Sequence, residues 1–157
     1  MSNYHVNYRH NPVEPSDPQR EPRNEGDKPE AGDIVVVHNV GLRHYDKPII
    51  KRVIATEGQT VHIDGANNKV YVDGKLLNEP YIAPPTINQN FTVTVEKGCV
   101  FVMGDNRMNS KDSRSAEIGQ IDKREILGKA LFLMWPGLTN ATGQRDLDRI
   151  GALTNGK

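Results

Sequence analysis

The chain has 157 residues and a mass of 17.5 kDa, with 20 basic and 20 acidic side chains and a net charge of zero. That length suits one domain, or one domain with a tail, and the charge balance lacks the basic excess of a protein that grips nucleic acid through its phosphates. The single Cys99 excludes an internal disulfide and a multi-cysteine zinc site. The longest apolar run, Ala130 to Trp135, is six residues, against the roughly 20 that a membrane-spanning helix needs.

Apolar residues make up 36 % of the chain, below the usual globular share, and the dilution has a location. Residues 1–30 hold five of the ten prolines and ten charged side chains, with only Met1, Tyr4, Val6, Tyr8 and Val13 as apolar residues. Prolines remove backbone donors and break both helix and sheet. With so little to bury, the segment cannot offset the entropy of ordering, and it reads as a disordered arm over 1–30 carrying no targeting signal.

From Ala31 onward the pattern is short and β-like. Ile34 to Val37 is a β-branched run behind Gly32-Asp33. Pro48 to Glu57 is a longer one, and Thr60 to Ile63 alternates and ends at Asp64-Gly65. Val70-Tyr71-Val72 meets Lys75-Leu76-Leu77 through Asp73-Gly74, a two-residue hairpin signal. Phe91 to Val95 alternates, Cys99 to Met103 reads as a buried strand stopped at Gly104, and Ile126 to Trp135 reads as a last long strand stopped by Pro136-Gly137. Ile121 to Glu125 suits a turn and Arg145 to Leu153 a short tail helix. Many short strands with turn signals between them predict an all-β barrel or sandwich-like fold.

Two places carry chemistry. Lys51 shares a strand face with Ile49 and Val53, while Arg52 shares the other with Ile50 and Ile54. A lysine among aliphatic neighbours is desolvated, which lowers its pKa, and a neutral amine can take a proton from a hydroxyl. The same lysine can also lie along a sheet edge and snorkel to water. The second place is Gly104-Asp105-Asn106-Arg107-Met108-Asn109-Ser110-Lys111-Asp112-Ser113-Arg114, a dense polar segment leaving a strand at a glycine. It suits a self-satisfied loop with paired Asp and Arg, and equally a site that holds a catalytic group. A calcium loop fits poorly, because its sixth and twelfth positions would be Ser110 and Ala116 instead of Gly and Glu.

The 104–114 segment resembles the most diagnostic box of the type I signal peptidases, Ser/Lys endopeptidases with a largely β catalytic domain. Gly32 to Val37 resembles the strand before that family's lysine box, and Ile50-Lys51-Arg52-Val53-Ile54 resembles the lysine box itself. Val70 to Gly74 and Glu79-Pro80-Tyr81 fit the hairpin that follows, and Ile118-Gly119 through Ala130 is similar to the closing strand. The resemblance covers 31–136 and implies a signal peptidase-like β-barrel or sheet domain there, with 137–157 as a polar tail. It implies that Lys51 is the general base and that Ser110 orients its amine through a hydrogen bond. It also implies that Asp112 and Arg114 pair to hold Ser110, that Asp105, Asn106 and Arg107 shape the turn, and that Arg52 is structural.

The chain departs from the family pattern twice. After the lysine, Ala55-Thr56-Glu57-Gly58-Gln59 stands where the family has Gly-x-Pro-Gly-Asp. Upstream, the family's Ser-Met-x-Pro-Thr-Leu segment and the anchor before it have no counterpart. Ser2 and Ser16 are the only serines before Lys51, and Ser16 is the candidate nucleophile that remains, with Ser110 acting in its place a weaker alternative.

The resemblance implies cleavage of signal peptides from exported precursors at the outer face of the cytoplasmic membrane, by a monomer with no metal or organic cofactor. The alternative is an inactive member acting as a peptide-binding or assembly module, or a truncated gene product. Trp135 and Phe132 suit either a membrane surface or the core, and Cys99 suits the core. His38, His44 and His62 read as strand histidines, with a His pair plus a carboxylate as the metal-binding alternative. Arg145 to Arg149 reads as solvated tail.

Overall fold

A computed structural model describes residues 28–38, 48–82, 89–133 and 151–152. β-Branched runs broken by Gly and Asp turns give strands at most of the places where the sequence predicts them, and Ile121–Asp122, read as the start of a turn, pairs as a strand instead. β1 is Ile34–Val37, β2 Ile49–Thr56, β3 Thr60–Asp64, β4 Lys69–Val72, β5 Lys75–Leu76 and β6 Phe91–Thr94. β7 is Cys99–Met103, β8 Ile121–Asp122, β9 Ile126–Lys129, β10 Phe132–Leu133 and β11 Gly151–Ala152. Two short 3-10 turns, Arg107–Asn109 and Lys123–Glu125, are the helical elements of the described residues.

The strands form a five-stranded sheet in the order β8-β7-β2-β1-β9, a four-stranded sheet in the order β5-β4-β3-β6, and the pair β10-β11. Every pairing is antiparallel. Asp73 and Gly74 both adopt positive φ, 51° and 77°, as the tight turn between β4 and β5 requires.

Two apolar clusters lie on opposite faces of β2 and β7. One gathers Val35, Val37, Val53, Val100, Val102, Ile121 and Ile126. The other gathers Ile54, Ala55, Val61, Ile63, Val70, Val95, Cys99, Phe101 and Met103. Along β7, Val100 and Val102 face the first cluster while Cys99, Phe101 and Met103 face the second, so all five residues are buried. This is the continuous apolar signature of a strand covered on both sides. β2 does the same, and a register shift between Val53 and Ala55 marks a bulge that turns both Ile54 and Ala55 into the second cluster.

Two open alternatives are decided and two expectations change. Neither sheet closes on itself, so the mainly β fold is built of open sheets and not a barrel. The last long strand divides: β9 stops at Lys129, and Phe132–Leu133 pairs with Gly151–Ala152 instead. Gly151 and Ala152 are therefore extended, where a tail helix was predicted; pairing with β10 outweighs the weak helical pattern of that segment. Phe132 is exposed, along with Leu131, so it is not core. The arm over 1–27, His44, Trp135 and Arg145 to Arg149 lie outside the described residues. Among the described residues no helix is long and apolar enough to cross a membrane.

Candidate active site

Lys51 sits in β2 across from Val35 of β1, on the face of Ile49 and Val53. It stands at the margin of the first cluster and is half-buried. Burial pushes the amine below the ordinary lysine value of 10.5; the Asp112 carboxylate pulls it back up, and the Arg114 guanidinium adds to the fall. The nitrogen itself lies in an exposed position. Nζ donates to the carbonyl of Ile50 at 3.1 Å.

The register brings the polar segment beside this amine. Arg52 pairs with Met103 of β7, so one step further Gly104 falls across from Lys51. Directly opposed residues on antiparallel strands present their side chains to the same face. Gly104 has none, and the Ser110 side chain fills the space: a Cβ built on Gly104 would lie 2.1 Å from Ser110 Oγ and 2.5 Å from its Cβ. Ser110 thus occupies the sheet position adjacent to Lys51 although it belongs to a loop six residues on. Its hydroxyl is buried and has no hydrogen-bond partner. The Asp112 carboxylate lies near enough for the hydroxyl to favour its charged form, but outside hydrogen-bond geometry.

Asp112 anchors the loop. It accepts from the Gly104 N–H at 2.9 Å and pairs with Arg114 Nε at 2.7 Å and NH2 at 2.8 Å. Burial opposes its charge, but the Arg114 pairing and the Gly104 N–H outweigh burial and hold the carboxyl below the usual aspartate value. Next to it, Ser113 Oγ accepts from the Val102 N–H at 3.0 Å, tying the loop back to β7.

The opposite face of β2 carries a second set of contacts. Arg52 donates Nε and NH2 to the two oxygens of Asp105, both at 2.9 Å, and NH1 to the Gly32 carbonyl at 2.9 Å. Its guanidinium lies 3.8 Å from the centre of the Tyr81 ring. Arg107 donates Nε to the Gly104 carbonyl at 3.1 Å and forms a two-pronged pair with Glu79. The Tyr81 hydroxyl donates to the same Glu79 at 3.2 Å. Asn106 caps the 3-10 turn by accepting from the Asn109 N–H at 3.2 Å.

The structure therefore gathers Lys51, Arg52, Asp105, Asn106, Arg107, Ser110, Asp112 and Arg114 into one region. It does not join Lys51 to Ser110 by a hydrogen bond, and Ser16 lies outside the described residues. Sequence reasoning passed over Gly104 as the seat of Ser110, Ser113 as a tie to β7, and Glu79 and Tyr81 as partners of the box. The dense polar pattern pointed to Ser113; nothing local marks Glu79, whose partner is 28 residues away.

Other candidates stand apart. Cys99 is core. His38 is exposed, and His62 pairs with Thr92 Oγ1 at 2.8 Å on the open face of the four-stranded sheet. Among the described residues no three His, Cys, Asp or Glu side chains gather as a metal site would require. A cleft of about 420 Å³ lies at the far end of β2, lined by Lys28, Pro29, Glu30, Ala31, Thr56, Glu57 and Lys123.

Comparison with known proteins follows the same residues. A family model described as signal peptidase, peptidase S26, matches residues 6–135. The chain is 45 % identical over 113 residues to a probable signal peptidase I-1 of Synechocystis sp., covering 69 % of this chain and 56 % of that protein. It is 38 % identical over 118 residues to a signal peptidase I of Bacillus amyloliquefaciens, covering 68 % and 58 %. The chain thus spans little more than half the length of these curated relatives. The crystal structure of a signal peptidase I from Enterococcus faecalis V583 superposes with a TM-score of 0.54 at 28 % identity, over 66 % of this chain and 97 % of that one.

Proposed function

The chain belongs to the signal peptidase family, peptidase S26, and from that premise we propose that its β domain carries the general-base half of a Ser/Lys endopeptidase acting on signal peptides of exported precursors. The observation that carries this reading is the buried, unpartnered hydroxyl of Ser110 in the sheet position next to the half-buried Lys51 amine. A buried hydroxyl left without a partner costs stability, and a family site is where such a cost is retained. The amine has to leave the Ile50 carbonyl to engage Ser110, a change of side-chain rotamer within one strand position.

In the reaction, a serine hydroxyl attacks the scissile carbonyl and Lys51 Nζ accepts its proton. Lys51 passes that proton to the leaving nitrogen as the scissile C–N bond breaks, giving an acyl-enzyme that water, deprotonated by the same amine, resolves to regenerate the serine. Ser110 orients the amine, and Asp112 with Arg114 holds Ser110. Ser16 is the candidate for the attacking serine. The substrate binds extended, as an added strand. Main-chain groups alternate sides along a strand. Val53 aims its N–H at Asp33 beside β1, so Ile50 aims its own groups to the other side, beyond the end of β7. Leu131 and Phe132 offer an apolar contact for a membrane surface.

The second reading, a peptide-binding module without turnover, is favoured by one observation. Among the described residues no hydroxyl bonds the Lys51 amine, which donates to the Ile50 carbonyl. Hydrolysis of a signal-peptide substrate by the wild type, Lys51→Ala and Ser16→Ala separates the two. Turnover abolished by both changes supports the Ser/Lys protease. Wild-type protein that binds the peptide without cutting it supports the module.

A further inference from the structure

Glu79 and Tyr81 lie in the stretch after β5, outside the lysine strand and outside the 104–114 segment, yet they close a ring of contacts between the two. Arg52, the residue after Lys51, stacks on Tyr81; Tyr81 donates to Glu79; Glu79 holds Arg107; Arg107 holds the Gly104 carbonyl, and Asp105 returns to Arg52. Gly104 is the residue on which Ser110 rests. We propose that Glu79 and Tyr81 are positioning residues of the reactive centre, fixing Ser110 against Lys51 by clamping Arg107 and Arg52 from the far face of the sheet. This rests on the reading of Lys51 and Ser110 as the reactive pair.

The physical case is the cost of the arrangement. The Arg107 and Glu79 side chains are 1 % and 7 % exposed. A pair so far removed from water is tolerated only with good geometry and its remaining hydrogen bonds satisfied. Two parallel bonds between guanidinium and carboxylate fix orientation as well as distance. The third guanidinium nitrogen, Nε, is committed to Gly104, so the ion pair sets where the segment leaves β7. Around Tyr81, burial and the Glu79 charge together push the phenol up to about 12, keeping it a neutral donor to Glu79 across the working range. The ring in turn covers the flat face of Arg52, whose edges are spent on Asp105 and Gly32. Every joint of the ring is thus directional, and its two ends meet at the strand positions flanking Lys51 and Ser110.

If the clamp opens, the segment moves off Lys51 and water enters around the amine. The charged groups that act on it are Asp112 and Arg114 from the loop; the Asp33–Lys129 pair lies further off, on the β1–β9 side. Arg52 projects from the other face.

The test reads the protonation of Lys51 directly. Lysines of the full chain are reductively methylated with carbon-13, and the Lys51 signal is assigned by its loss in Lys51→Arg. Its titration midpoint is then measured in wild type, Glu79→Gln, Tyr81→Phe and Tyr81→Leu, beside thermal melts. We expect the midpoint to shift upward, toward that of exposed lysines, in Glu79→Gln and Tyr81→Leu. Tyr81→Phe keeps the ring over Arg52 and is expected to fall between Tyr81→Leu and the wild type. Should Glu79→Gln fail to fold, the two Tyr81 variants decide, because Tyr81 is only half-buried. A midpoint equal in wild type and Tyr81→Leu overturns the proposal. This readout does not depend on turnover. If hydrolysis proves independent of Lys51 while the midpoint still moves, the protease reading fails and the clamp stands. If hydrolysis depends on Lys51 but the midpoint is fixed, the reverse holds.

Discussion

Ser110 Oγ lies 2.1 Å from the point where a Cβ on Gly104 would stand. The glycine is required there for space and not for backbone conformation, since its φ is not positive. Gly104→Ala must push Ser110 out of the position beside Lys51. We expect a loss of about 1–3 kcal/mol, the usual cost of overpacking. Gly104→Ala combined with Ser110→Gly should recover most of it. Urea denaturation of the two single variants and the double one checks this; additive losses would remove the steric explanation.

Ser110 and Ser113 stand three residues apart and should respond in opposite ways to loss of the hydroxyl. Ser113 Oγ satisfies the buried Val102 N–H, so Ser113→Ala leaves a donor unpaired and should cost about 1–3 kcal/mol. Ser110 Oγ satisfies nothing, so Ser110→Ala should hold or raise stability, by up to about 1 kcal/mol. Melting temperatures of the pair are the measurement. Equal losses at both sites would mean that Ser110 has a partner in solution.

Asp112→Ala should destabilise strongly, by about 3–5 kcal/mol, because it strands the nearly buried Arg114 guanidinium and frees the Gly104 N–H. The same pair sets an acid limit. With its folded pKa below the ordinary aspartate value of 3.8, the unfolded chain binds the Asp112 proton more readily. Stability from this group is complete at neutral pH, begins to fade as pH falls past 3.8, and is gone once pH is below the folded value. Partly exposed Asp64 and exposed Asp73 and Glu57 shift in the same direction. Subtracting the acid titration of Asp112→Asn from that of wild type isolates the Asp112 part. Curves that run parallel through this window would show that Asp112 is not held ionised.

Lys51→Met should be at least as stable as wild type at pH 7, while losing all turnover assigned to the amine. Burial lowers the folded pKa of Lys51 below 10.5, so between the folded value and 10.5 the unfolded chain binds more protons. Stability of the wild type therefore rises with pH across that interval, and the advantage of methionine is greatest below it. Chemical denaturation at pH 7 and near pH 10.5 reads the difference. A methionine variant less stable at pH 7 would mean that the ammonium is favourably paired in the fold.

The strands were legible because β-branched runs and Gly or Asp turns are local signals, and the tight Asp73-Gly74 turn was legible for the same reason. Lys51 with its apolar neighbours was legible from alternation alone. The Asp112–Arg114 pair was legible by family resemblance, and the fold makes it. What escaped was non-local. The bulge at Ile54 hides inside a run that alternation reads as regular. The short strand at Gly151–Ala152 depends on a partner nearly twenty residues back. Glu79 reaches Arg107 only once two sheets are assembled, and no spacing rule predicts a contact between residues so far apart in sequence. The expected bond from Ser110 to Lys51 is absent for a different reason: a flexible amine can take another acceptor, and here it donates to the Ile50 carbonyl.

β2 is the strand that both apolar clusters use, through Val53 on one side and Ile54 and Ala55 on the other. Detaching either cluster pulls on the strand that carries Lys51, so this segment has no cheap route to fraying on its own. Its amides from Arg52 to Ala55 belong among the slowest in the chain to exchange with deuterated solvent, opening only when the whole domain does. A reactive group mounted there stays in register through the small fluctuations that loosen the surrounding loops, and its lifetime is tied to that of the entire fold.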